Sequence, residues 1–84
     1  MLFHVTVDHS PELCPVVNNT PEKRITAEGA AKAGVKLVLA LGDRAQHCTI
    51  YVVEADDINK LYDFLNPALS WAKCDIMPVR EMQD

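Results

Sequence analysis

The sequence predicts an α+β fold of the ferredoxin-like kind, βαββαβ, with a four-stranded antiparallel sheet in the order 4-1-3-2 and two helices on one face. Three observations carry this. Four segments alternate, or run continuously apolar, in the manner of strands. Two others carry capping residues followed by apolar positions at helical spacing. The six follow one another as strand, helix, strand, strand, helix, strand, and right-handed crossovers then fix the strand order.

Residues 2–8 place Phe3, Val5 and Val7 on one face and His4, Thr6 and Asp8 on the other, the period of a half-buried strand. Pro11 and Pro15 forbid a regular ladder through the segment that follows. Thr20-Pro21 reads as a helix start, with Thr20 as the cap and Pro21 at the first helical position. Ile25, Ala27, Ala30, Ala31 and Ala33 form a thin apolar stripe, and Gly34 is a natural stop. Residues 35–41 put Val35, Leu37, Leu39 and Leu41 on one face; 42–45 read as a turn; 49–54 return as the hairpin partner. Asp56 or Asp57 caps a second helix, in which Ile58, Leu61, Tyr62 and Leu65 recur at i, i+3, i+4 and i+7. Asn66-Pro67 is expected to interrupt it. Residues 72–79 form the last strand, where Pro78 suits an edge, and 80–84 are a polar tail.

The 84 residues fit one domain, 1–84. A net charge of −4 with no basic cluster argues against a phosphate-tracking surface, so no nucleic-acid partner is expected. No apolar run approaches the ~20 residues of a membrane span, and Met1-Leu2-Phe3-His4 does not read as a secretion signal. Three cysteines cannot all pair within the chain; reduced thiols and a cytoplasmic location are expected. The three glycines are isolated, so there is no phosphate loop. The second and third strands carry apolar residues on both parities. One chain this short cannot cover both faces of its sheet, and the expected remedy is a homodimer with two sheets face to face.

The stretches Met-Leu-Phe-His-Val-Thr-Val-Asp-His-Ser-Pro-Glu-Leu-Cys-Pro, Lys32 through Lys36, Gln46 through Asp56 and the ending at Pro78-Val79 resemble a small uncharacterised family of bacterial and archaeal ferredoxin-like proteins. The wider set they resemble is the dimeric α+β-barrel superfamily. It includes cofactor-free monooxygenases, isomerases, haem-handling enzymes and stress proteins. The resemblance implies a dimeric α+β barrel and does not select one chemistry. The alanine-rich 18–34 segment is shorter and less charged than the first helix the resemblance implies.

Topology brings chemistry-bearing residues to one end of the sheet. The first strand ends at Asp8-His9, the third begins near His47-Cys48, the fourth begins near Cys74, and the loop with Cys14 leaves from the same end. His9, Cys14 and His47 are the candidate ligands for zinc or another transition ion; no other cofactor is expected. Adjacent strand residues face opposite ways, so only one of His47 and Cys48 readily joins such a cluster. Cys48 and Cys74 read as small buried core residues, as free cysteines usually are. His4, Tyr51 and His9 are the candidate catalytic groups, an imidazole base with a phenol beside it, and each also reads as a hydrogen-bonded structural residue. The leading functional expectation is a small cytoplasmic homodimer that binds a small molecule in a cleft or in the barrel interior. The alternatives are a cofactor-free monooxygenase- or isomerase-like enzyme using a histidine base, a His/Cys metal-binding protein, and a structural or regulatory partner protein.

Overall fold

The computed structural model describes residues 1–82; Gln83 and Asp84, the end of the expected polar tail, lie outside the described residues. Strand β1 (Leu2–Asp8) is central. It pairs antiparallel with β3 (Cys48–Glu54) on one side and β4 (Lys73–Val79) on the other, and β2 (Lys36–Asp43) completes the order β2-β3-β1-β4. The odd residues of β1 are buried, Val5 completely, because they face the helices α2 (Ala27–Ala33) and α3 (Ile58–Leu69). Phe3, Val5, Val7, Tyr51 and Val53 from the sheet pack against Leu61, Phe64, Leu65 and Ala68 from α3 and Ala30 from α2. Tyr51 meets Phe64 edge to face at 5.6 Å.

The structure corrects the expected architecture in two respects. There are three helices, not two: a short α1 (Pro15–Asn18) lies in the segment between β1 and α2. The sheet is not closed into a dimeric α+β barrel. Four strands are too few to close on themselves; β2 and β4 are open edges. Nothing in the structure evidences a homodimer. The second face is left uncovered within the chain, with Leu39, Leu41 and Met77 about half exposed.

A β-bulge explains why both parities of β2 are apolar. Leu37 pairs with Val53 on the helix side, but Leu39 pairs with Val52 and Leu41 with Ile50 on the open side. The extra residue, Val38, shifts the register by one, so the expected Val35-Leu37-Leu39-Leu41 face breaks in the middle. Beyond the bulge the helix-side positions are Ala40 and Gly42, opposite Tyr51 and Thr49. Small residues there leave the sheet surface beside Thr49 unfilled. Gly42 belongs to the strand; the turn lies at residues 44–47, held by Asp43 Oδ1, which accepts from the N–H groups of Ala45 and Gln46.

The helices also depart from expectation. Thr20 does not start a helix: Pro21–Lys23 form one 3₁₀ turn and Thr20 makes no capping bond. The cap of α2 is Thr26, whose Oγ1 accepts from Gly29 N at 3.0 Å, and Gly34 closes the helix in the left-handed region at φ 76°. Asp57 caps α3. That helix runs through Asn66-Pro67 to Leu69 because its last turns are fixed from outside. Phe64, Leu65 and Ala68 are buried there, and the Trp71 indole donates to the Pro67 carbonyl at 2.7 Å. Its buried face is Leu61, Phe64, Leu65 and Ala68; Ile58 and Tyr62 of the expected stripe are exposed. No helix of the described residues is long and apolar enough to cross a membrane.

The two threonines give a direct check. Thr26→Ala removes a made cap bond and should cost about 1 kcal/mol in denaturant unfolding. Thr20 Oγ1 is buried without a hydrogen-bond partner, so Thr20→Val should leave stability unchanged or raise it. Equal losses at the two positions would place the helix start wrongly.

Candidate metal centre

The site forms where β1 ends and β3 begins. His9 lies one residue past β1 and continues the helix-side parity of Phe3, Val5 and Val7. Its N–H donates to the His47 carbonyl at 3.2 Å, which extends the β1–β3 ladder by one bond and locks the two histidines side by side. His47 has φ 51°, the left-handed region, the final residue of the hairpin turn. This backbone conformation removes His47 from strict strand alternation and lets its ring meet His9. The two ring nitrogens, His47 Nδ1 and His9 Nε2, are 3.2 Å apart. The rings are nearly perpendicular, with centroids 5.1 Å apart.

Cys14 reaches the same point from the loop. Its backbone sits between two proline-led turns: it ends the 3₁₀ turn Pro11–Leu13, donating to the Pro11 carbonyl, and it caps α1. Two fixed proline φ angles make this a stiff mount. Asn18 Nδ2 tightens it further by donating to the Glu12 carbonyl at 2.7 Å. Cys14 is buried, with 7% of its surface exposed. Donor atoms of His9, Cys14 and His47 all lie within 4.8 Å of one another. The 3.2 Å between imidazole nitrogens is close to the edge of a tetrahedron built on metal–nitrogen bonds of roughly 2.0–2.1 Å, about 3.3 Å.

Burial lowers the His9 pKa, the adjacent His47 lowers it further, and Asp8 opposes them. The neutral imidazole, which is the ligating form, is therefore favoured at His9. Trp71 is the other neighbour of His9, edge-on at 5.0 Å between centroids.

The remaining sequence candidates separate. Cys48 pairs with Asp8 on the open face of the sheet. There the neighbouring Asp8 carboxylate favours the protonated thiol and pushes its pKa up to about 11, with burial adding to the shift. Cys74 pairs with Val7 on the helix side, and burial raises its pKa. Neither joins the three donors among the described residues. His4 and Tyr51 are not brought together. Tyr51 pairs with Val5 on the helix face, where burial raises the phenol pKa, and His4 pairs with Val52 on the opposite face. The sheet stands between them, because residues of unlike parity on a strand cannot share a face. Tyr51 instead shares with His9 a cleft of about 300 Å³.

That cleft contains groups the sequence reading passed over: Trp71, Lys23 and Arg24. Lys23-Arg24 is the only adjacent cationic pair in the chain, which is a visible signal. Trp71 carries no such signal; its place follows from where α3 ends.

A family model described as Domain of unknown function (DUF3303) matches residues 1–84, so the chain belongs to that family. No curated protein matches the chain.

Proposed function

We propose that this DUF3303 protein binds a transition metal ion through His9, Cys14 and His47, with zinc as the first candidate. The single observation that supports this reading is the convergence of two imidazoles and a thiol, from three separate chain segments, within 4.8 Å. Two nitrogens and a sulfur suit zinc, and they also suit copper(I). Three protein donors leave one tetrahedral position for water or a ligand, the arrangement of catalytic rather than structural zinc sites. This reading displaces the barrel-interior pocket and the pairing of His4 with Tyr51 as the main functional idea.

The test uses cobalt(II) as a coloured stand-in for zinc. Protein stripped with a chelator and titrated with cobalt should gain tetrahedral visible bands and a near-ultraviolet thiolate band, saturating at about one equivalent and discharged by zinc. Trp71 is the only tryptophan, and His9 packs on its ring. Its fluorescence should therefore change along the same binding curve. Cobalt that stays octahedral and pink, with Trp71 emission unaltered, would overturn the proposal.

A further inference from the structure

The three donors leave one coordination position open, and the cleft beside them has a chemical character of its own. His9 and Cys14 form part of its wall; Val7, Ile25, Tyr51 and Trp71 supply apolar surface; Lys23 and Arg24 stand at the same cleft. Among the described residues no carboxylate lines it, Asp43 belonging to the adjoining cleft, although the chain carries 12 acidic residues against 8 basic ones. The one ion pair among the described residues is Lys73–Asp75, and neither Lys23 nor Arg24 makes a side-chain hydrogen bond there. Two cations without an ion pair, at a recess walled mainly by apolar side chains together with His9, Thr49 and Tyr51, form an electrostatic complement for an anion with an apolar body. The volume, about 300 Å³, is at the small end of ligand sites.

Resting on the metal reading above, we infer that this cleft takes a small organic carboxylate, its apolar body against Trp71 and Ile25 and its anionic group between Arg24 and the open metal position. Guanidinium and carboxylate match in charge and in planar, two-point geometry, which makes Arg24 the principal anchor and Lys23 a supporting charge. Gly42, beyond the bulge, keeps the sheet side of the cleft free: a Cβ there would meet nothing within 4 Å. Tyr51, with its raised phenol pKa, presents a neutral hydroxyl there.

Cobalt-loaded protein separates this inference from the reading beneath it. Benzoate should shift the visible cobalt bands saturably, benzyl alcohol should not, and inorganic phosphate should act only at higher concentration. The double variant K23Q/R24Q should take up cobalt as the parent does and need about tenfold or more benzoate for the same shift. Both side chains are exposed, so the variant should fold. Bound cobalt whose bands ignore benzoate would sink the carboxylate site alone. So would phosphate acting as strongly as benzoate, or an unaltered response in K23Q/R24Q. A protein that takes up no cobalt would remove the metal reading, and this inference with it.

Discussion

Removing the Cys14 thiol should abolish tight metal binding and, with it, most of the metal's effect on folding stability. The expected loss in zinc affinity for Cys14→Ser exceeds about 100-fold, since second-shell partners alone are worth 10–100-fold and Cys14 is a direct donor. Metal that binds only the folded chain stabilises it by RT ln(1 + [L]/Kd), about 2.7 kcal/mol at 100 times Kd. For a domain of this size that is a rise in Tm of roughly 10–20 °C. The parent should show this rise in zinc, and Cys14→Ser should show little of it. His47→Asn is the matched variant: asparagine tolerates the left-handed backbone that His47 adopts at φ 51°, so the turn should survive while the donor is lost. Differential scanning calorimetry with and without zinc measures both. If Cys14→Ser and His47→Asn keep the full zinc-dependent rise, the metal lies elsewhere. A metal-free variant that melts below the metal-free parent reports lost packing, so the comparison is made on the zinc-dependent rise rather than on Tm alone.

How legible this site was depends on which contacts are local in register. The hairpin β2–β3 and the antiparallel pairing of β1 with β3 fix the end of one strand beside the start of the other, so His9 beside His47 could be read from strand order alone. Cys14 could be placed near them because a proline-rich loop leaves that same end. The distances could not be read. They depend on the left-handed turn at His47 and on the two proline-led turns that mount Cys14, and both are backbone details with no periodic signature. Whether Tyr51 lies beside His4 depends on the strand register, and the Val5↔Tyr51 pairing puts it on the opposite face.

The same distinction runs through the fold. The alternation of β1 was legible because the strand is central and regular. That of β2 was not, because one residue, Val38, resets its parity, and a bulge on an edge strand has no compositional mark here. The β2 hydrophobics beyond the bulge suggested a second covered face; they are half-exposed residues of an open edge. In α3 the helical period was right and its phase wrong. Phe64 and Ala68 extend the buried face while Ile58 and Tyr62 lie at its margin, a rotation that a stripe of four apolar residues does not determine.

That rotation leads to the largest expected effect on stability. Leu61 is fully buried on α3 and belongs to the core cluster with Phe64, Leu65 and the sheet residues Val5 and Val53. Leu61→Ala removes its packing and leaves a cavity, a loss of about 3–5 kcal/mol when neighbours cannot collapse inward. Collapse is hard here, because one layer of helices meets one sheet and the residues around Leu61 are held by strand pairing on one side and helical bonds on the other. A domain of 84 residues has a total stability of only about 4–12 kcal/mol. The variant should therefore lose a large part of the parent's stability, with a urea midpoint lowered by about 1.5–2.5 M at an m-value near 2 kcal/mol/M. Tyr62, its neighbour on the same helix, is 46% exposed, and Tyr62→Ala should cost less than about 1 kcal/mol. The sequence stripe treated Leu61 and Tyr62 as members of one face; the structure separates them. Urea unfolding of the pair decides between the two phases of the helix. A large loss at Leu61 with a small one at Tyr62 supports the observed phase. Comparable losses at both would turn the helix back toward the periodicity, and with it the end of α3 that positions Trp71 against His9.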